Sequence, residues 1–232
     1  MKNQILGVIG GSGLYDIDFL NDKKELNVKS AWGKPSGKII EGTIENNKIY
    51  FLSRHGKGHK ISPTSINYRA NIDCLKKCGV TDLISISAVG SLKKELSPGT
   101  FVLVDQFIDR TFAREKTFFD KGIVAHVPMD EPTSKVLIDL AEIILKKLKI
   151  TNKKNGTYLA MEGPQFSTKA ESNLYRFYKA DVIGMTNMPE AKLSKEAEIR
   201  YCSLSMVTDY DCWYEKHQSV DVEMLLKNLR DN

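Results

Sequence analysis

Cysteine is scarce in this sequence, at 4 of 232 residues, and tryptophan scarcer, at 2. Cys74 and Cys78 stand four apart in a predicted helix, and Cys202 and Cys212 lie far from them. That spacing is unlike a zinc ribbon or a disulfide framework and suits reduced, partly buried thiols. Long apolar runs are missing as well: none approaches the roughly 18 residues of a membrane span. The opening MKNQILGVIGG is too short and too glycine-rich for a secretion signal. Basic density is also absent. Thirty-four Lys and Arg against 29 Asp and Glu leave a charge of +5, with Lys spread along the chain. A nucleic-acid binder shows a denser basic patch with aromatics, so the excess points at most to a locally positive pocket for a small anion. Neither repeats nor low-complexity tracts interrupt the chain. These absences predict a cytoplasmic protein with one domain over residues 1–232, and neither a membrane nor a nucleic acid as partner.

Strand and helix signals alternate along the chain. A short apolar run at 4–9, stopped by Gly10-Gly11, reads as a buried strand. Residues 38–44 and 48–53 flank Glu45-Asn46-Asn47 as a hairpin, whereas 21–25 reads as a polar loop. Residues 67–78 carry Ile72, Leu75 and Cys78 near helical spacing, with Gly79 to stop them. Further strands are predicted over 82–87, 101–104, 157–161, 181–184 and 199–207, and further helices over 134–148, 168–178, 189–197 and 220–229. In the helix at 134–148, Leu137, Leu140, Ala141, Ile144, Leu145 and Leu148 form one apolar face. The alternation argues for one α/β domain with a mostly parallel central sheet, in which ligands bind beyond the carboxyl ends of the strands. Polar and glycine-rich clusters fall at those ends: 10–14, 53–59, 87–92, 162–168, 185–189 and 208–213.

Gly10-Gly11-Ser12-Gly13 follows the first strand. Glycines there let backbone N–H groups approach an anion, and Ser12 adds a hydroxyl; a plain tight turn would use the same residues. The dinucleotide fingerprint G-x-G-x-x-G fails at Asp16, where its third Gly would fall, and no Walker lysine follows. A nicotinamide oxidoreductase is therefore disfavoured. Ser53-Arg54-His55-Gly56, with His59 behind it, closes a strand. Its planar guanidinium suits phosphate oxygens, and the His adds a donor. Ser87-Ala88-Val89-Gly90-Ser91 and Thr186 supply more hydroxyls and open backbone. Together these describe a cradle for a free phosphate that needs no metal, because Arg and backbone donors carry the countercharge. Thr208-Asp209-Tyr210-Asp211 places two carboxylates at i and i+2. In a partly apolar pocket, burial and mutual repulsion would raise a carboxyl pKa and let it donate a proton. A solvated loop or a helix N-cap would use the same residues.

Eight stretches, in order from residue 7 to residue 213, carry a family resemblance: GVIGGSGL, SRHGKGH, NYRAN, SAVGSL, DQFIDRT, MEGPQFSTKAES, GMTNMPEAKLSKEAEI and TDYDCW. Through them the chain resembles the trimeric nucleoside phosphorylases. The resemblance implies an α/β single domain whose mixed central β-sheet forms a distorted barrel flanked by helices. It also implies a homotrimer with sites near subunit contacts, and no cofactor beyond inorganic phosphate as co-substrate. Phosphate contacts are implied at Ser12, Arg54, His55, Ser87, Ala88 and Thr186. Nucleoside contacts are implied at Ala88, Phe166 as the stacking aromatic, Ser167, Met185 beneath the ribose, and Asp209, Tyr210 and Asp211 at the purine edge. Val222 would line the 5′ pocket, and His126 would reach that pocket in a neighbouring subunit. Family members generally continue a few tens of residues beyond the helix predicted at 220–229, so a more open 5′ site is expected here.

Within that family, side-chain chemistry narrows the substrate. Relatives acting on 6-oxopurines carry Glu and Asn where this chain has Ser167 and Asp209. A Glu would set acceptor against acceptor at adenine N1, a buried mismatch of about 1–3 kcal/mol, and Ser removes it. Asp211 can accept from a 6-amino group, and a protonated Asp209 can donate to N7. The apolar Val222 stands where relatives that bind a 5′-hydroxyl place His, and it suits a thiomethyl group. The expected reaction is phosphorolysis of a 5′-methylthio 6-aminopurine nucleoside to adenine and 5-methylthioribose 1-phosphate, with Asp209 as the catalytic residue. A 6-oxopurine or methylthioinosine phosphorylase and a non-catalytic purine-binding module are the alternatives.

Overall fold

The structure is a computed structural model and describes residues 4–11, 17 and 20–214. Ser12, Val222 and the helix predicted at 220–229 lie outside the described residues. Within them, β1 (Leu6–Gly10), β4 (Asn47–Ser53), β5 (Asp82–Ser91) and β9 (Arg200–Tyr210) run in one direction. β6 (Phe101–Asp109), β7 (Asn152–Ala160) and β8 (Val182–Gly184) run in the other. β3 (Ile39–Ile44) and β2 (Asn21–Leu26) extend the sheet antiparallel beyond β4. The order β2-β3-β4-β1-β5-β8-β7-β6-β9 closes on itself, because β9 pairs with β5 as well as with β6. Strands β5 to β9 thus form a barrel, and β1 to β4 an open wing beside it.

The mixed α/β barrel expected from the family resemblance is what the chain forms. The mostly parallel sheet read from periodicity is corrected: β2–β3, β3–β4, β5–β8 and β6–β9 are antiparallel. A barrel strand buried on both faces is apolar whichever way it runs, so an apolar run does not report direction. Residues 21–26 are also a strand rather than a loop. This edge strand is almost wholly exposed, shows no apolar alternation, and carries the lysines that keep an edge from pairing further. β7 starts before the apolar segment at 157–161, because the polar Asn152-Lys153-Lys154 pairs with Phe101-Val102-Leu103, and β6 runs on past 104, because Gln106–Asp109 pairs with Thr157–Ala160. β9 continues through Asp209, so the two-carboxylate motif begins on a strand.

Local sequence accounts for the helices. α1 (Tyr68–Lys77) starts where Asn67 Oδ1 accepts from the Ala70 N–H at 3.0 Å. α2 (Lys135–Lys147) is capped by Ser134, and α3 (Lys169–Phe177) by a Thr168–Glu171 capping box. α4 (Asn187–Glu196) follows β8 directly. The apolar face predicted for α2 is only partly buried. Ile138 and Leu145 face the core, while Leu140, Ile144 and Leu148 are more than half exposed. Periodicity locates the stripe, but neighbouring elements decide how much of it is covered. The main core, including Ile9, Leu52, Ile72, Leu83, Tyr158 and Leu193, ties α1 and α4 to the sheet. Among the described residues, no helix is long and apolar enough to cross a membrane.

The topology decides where the polar clusters meet. β8 runs back along β5, with Ile183 opposite Gly90 and Val182 opposite Ser91. The ends of β7 and β8 therefore reach the outer half of β5 from the direction opposite to β1 and β4. The clusters converge as expected, but between two opposed sets of strands and not on one carboxyl face.

Candidate active site

A cavity of about 390 Å³ opens at this meeting point. It brings together Arg54, His55, Ser87, Ala88 and Thr186 with Phe166, Met185, Asp209 and Asp211. Three implied contacts are not brought to it. Tyr210 donates its hydroxyl to the Lys94 carbonyl at 3.0 Å, because alternation along β9 puts 209 and 211 on one side and 210 on the other. Ser167 lies beside Met161, Oγ to Sδ 3.7 Å, and its carbonyl accepts from Cys212 Sγ at 3.3 Å. His126 is exposed on its own chain.

Arg54 is fully buried, with its fork held on three sides. Nε donates to Glu190 Oε2 at 2.8 Å, Nη2 to Glu190 Oε1 at 3.1 Å and to Ser85 Oγ at 2.7 Å, and Nη1 to the Ile86 carbonyl at 3.2 Å. Burial opposes its charge, but Glu190 more than offsets this and holds the guanidinium above its ordinary pKa. Nη1 also approaches the glycine turn, 3.1 Å from where a Cβ on Gly11 would stand.

His55 Nδ1 lies 2.8 Å from the Ile61 carbonyl. A carbonyl only accepts, so the proton sits on Nδ1, and the donor expected for the anion is spent there. Burial pushes the His55 pKa down to about 4, against the pull of the Ile61 carbonyl and with Arg54 and His59 adding repulsion. At neutral pH the ring is therefore uncharged, and its Nε2 is an acceptor. His59 stacks on His55 with ring centroids 4.1 Å apart and also lines the cavity. The sequence reading gave it no role, although a His four residues on in a glycine turn was the signal.

Asp209 Oδ2 accepts from Thr208 Oγ1 at 2.7 Å. Burial raises the Asp209 pKa to about 6, eased by Thr208 and reinforced by repulsion from Asp211. Asp211 is raised too, chiefly by burial, and its Oδ2 has no hydrogen-bond partner among the described residues. A bulge sets this geometry. Val207 stands opposite Val89 but Asp209 opposite Gly90, so Thr208 is the extra residue that re-aims the carboxyls. A Cβ on Gly90 would stand 3.1 Å from Ile183 Cγ2 and 3.3 Å from Asp209 Oδ1. Gly90→Ala is thus expected to displace Asp209 and slow turnover by about 10- to 100-fold with little change in melting temperature. Full activity in that variant would show that the carboxyl position is not critical.

Met185 is fixed by contacts that no short-range pattern reveals. Arg114 Nη1 donates to the Met185 and Met188 carbonyls at 2.5 and 2.7 Å, and Nη2 to the Glu162 carbonyl at 2.6 Å. Its Nε pairs with Glu162 Oε1 at 3.0 Å, across 48 residues of sequence. Gly163, at φ 69°, leaves room for Met185, whose Sδ would lie 2.5 Å from a Cβ there.

A buried guanidinium and two buried carboxyls with raised pKa values in one cavity of a mixed barrel define a class of group-transfer enzyme. Residues 5–231 match the family model of the Phosphorylase superfamily, and the chain belongs to that family. Its relatives include the S-methyl-5′-thioadenosine phosphorylase of Rhodospirillum rubrum, 57% identical over 231 residues, 100% of this chain and 79% of that one. The protein of the same name from Geobacter sulfurreducens is 48% identical over 230 residues, 99% of this chain and 80% of that one. Among solved structures, methylthioadenosine phosphorylase from Schistosoma mansoni in complex with adenine superposes with a TM-score of 0.94 at 33% identity, covering 99% of this chain and 86% of that one. A methylthioadenosine phosphorylase from an antarctic soil metagenomic library gives 0.92 at 44% identity, covering 99% and 83%.

Proposed function

We propose that the protein catalyses phosphorolysis of S-methyl-5′-thioadenosine by inorganic phosphate, giving adenine and 5-methylthioribose 1-phosphate. The observation that carries this reading is the single cavity that joins Arg54, Ser87 and Thr186 to the buried, raised-pKa carboxyls of Asp209 and Asp211. Relatives named for this substrate, and a neighbour solved in complex with it, support the nucleoside.

Phosphate lies beneath C1′ against Arg54, Ser87 and Thr186, with Ala88 in the same cradle. As the C1′–N9 bond lengthens, the phosphate charge stabilises the oxocarbenium ion and one oxygen then bonds to C1′. The electron pair of the broken bond passes to the purine, which takes a proton at N7 from Asp209. With Oδ2 accepting from Thr208, the protonated form of Asp209, which is populated below about pH 6 and is the minor form above it, carries that proton on Oδ1. The buried, unpartnered Asp211 Oδ2 accepts from the 6-amino group. Phe166, 47% exposed, covers the base, and Met185 supports the ribose. No cofactor takes part, since Arg54 supplies the countercharge. The working unit is a cytoplasmic homotrimer in which His126 reaches a neighbour's 5′ pocket. Phe112, Ile123 and Val124, all exposed in the same stretch of chain, supply apolar surface for that contact.

Base choice provides the test. A 6-oxo group would face the Asp211 oxygen as a second acceptor, a mismatch of about 1–3 kcal/mol, or about 5- to 150-fold in rate. At equal phosphate, adenine release from methylthioadenosine is expected to exceed hypoxanthine release from inosine or methylthioinosine by a factor in that range. The opposite order would make the protein a 6-oxopurine enzyme.

A further inference from the structure

Glu190 lies behind the cavity and does not line it; the residue is 1% exposed. Four hydrogen bonds converge on its carboxylate. Oε2 accepts from Arg54 Nε at 2.8 Å, and Oε1 accepts from Arg54 Nη2 at 3.1 Å, Ser85 Oγ at 2.6 Å and Tyr201 Oη at 2.9 Å. Tyr201 Oη accepts in turn from Asn187 Nδ2 at 2.5 Å, and Asn187 Oδ1 accepts from Ser87 Oγ at 3.1 Å. A continuous chain of buried hydrogen bonds therefore joins Arg54 to Ser87 through Glu190, Tyr201 and Asn187, none of which lines the cavity.

We propose that Glu190 is a positioning residue for the anion half of the site. It fixes the guanidinium of Arg54 and, through Tyr201 and Asn187, the orientation of Ser87, whose one hydroxyl proton goes to Asn187 Oδ1 and which is left to accept a P–OH proton, and so sets phosphate affinity without touching phosphate. The proposal rests on the phosphorolysis reading above. A guanidinium carries five N–H donors. Glu190, Ser85 and the Ile86 carbonyl take four of them, which leaves one on Nη1, the nitrogen beside Gly11. The fork cannot rotate without breaking a charge-assisted pair. A carboxamide does not replace this carboxylate, because both oxygens accept from Arg54 and an NH2 at either position would meet an N–H donor.

The test separates the two substrates. Glu190→Gln is expected to raise KM for phosphate about 10-fold or more and to leave KM for methylthioadenosine within about twofold. Tyr201→Phe keeps the ion pair but removes the shorter of two links to Asn187, leaving only Asn187 Nδ2 to Ser85 Oγ at 3.2 Å, and is expected to raise KM for phosphate about threefold, again alone. Glu190→Asp, which retains two acceptors, recovers part of the phosphate affinity lost in the Gln variant. A merely structural role would lower the melting temperature and Vmax while both KM values stayed put or rose together; either result overturns the proposal. If Glu190→Gln does not fold, Tyr201→Phe decides. Failure of the underlying reading shows separately, as a wild-type protein that releases no adenine with phosphate. The proposal is then judged by inorganic phosphate alone, whose stabilisation of the wild type against heat must be weaker in Tyr201→Phe, and equal stabilisation overturns it.

Discussion

Asp209→Asn is expected to lose most of its turnover and, at neutral pH, to become more stable. Asparagine keeps the shape of the side chain, can still accept from Thr208 Oγ1, and can offer an N–H to purine N7. It cannot transfer a proton. Loss of a general acid lowers turnover by about 10²- to 10⁴-fold, so kcat should fall by that order while KM for the nucleoside changes far less. The gain in stability follows from the same burial that prepares the acid. The native Asp209 pKa is about 6 against an ordinary 3.8, so between these values the native state binds more protons than the unfolded chain. Stability therefore falls as pH rises through that window. Below about 4 both states are protonated and nothing is lost; above about 6 the native state carries the full cost of a buried charge. A carboxyl moved from 3.8 to about 6 corresponds to about 3 kcal/mol, which the neutral Asn escapes. Thermal melts at pH 8 should show the variant above the wild type, and melts at pH 4 should show no difference. A variant equally active, or one whose melting advantage is the same at both pH values, contradicts this account.

Arg54→Met is expected to fail in both respects at once. The methionine fills part of the space but leaves the Glu190 carboxylate buried with only Ser85 and Tyr201 as donors. Breaking one side of a buried ion pair costs about 3–5 kcal/mol. That is a large share of the roughly 5–15 kcal/mol that holds a protein folded, and it should lower the melting temperature by the order of 10 °C. Excess phosphate should not restore turnover, because the cation of the anion cradle is gone. Arg54→Lys is expected to lie between, since an ammonium keeps the charge but not the fork that meets both oxygens of Glu190. Calorimetric unfolding and phosphate titrations of the two variants read these effects, and a Met variant that melts with the wild type would show that Glu190 is not committed to Arg54.

The site residues legible in the sequence were those whose partners are close in the chain or whose chemistry is distinctive. Arg54 and His55 end a strand beside glycines, and Asp209 and Asp211 end another, so their convergence on the outer half of β5 could be anticipated. Two further details there are readable in the sequence alone. Period-2 alternation already separates Tyr210 from the two Asp, and the histidine at 59 already shares a turn with His55. Other features have no short-range signature. Glu190 reaches Arg54 across 136 residues, and Arg114 holds Met185 across 71, so the supports of the site exist only in the fold. The antiparallel course of β7 and β8 was hidden for the same reason: strand direction is set by pairing, while an apolar run records only burial. The edge strand β2 was hidden because it buries almost nothing.

The central claim is that one cavity uses free phosphate to displace adenine from a methylthio nucleoside. Incubating the protein with S-methyl-5′-thioadenosine, with and without inorganic phosphate, and measuring both products tests it most directly. The account predicts adenine and 5-methylthioribose 1-phosphate in equal amounts, and neither without phosphate. Adenine released at the same rate without phosphate, or nucleoside bound with no adenine released, would contradict it.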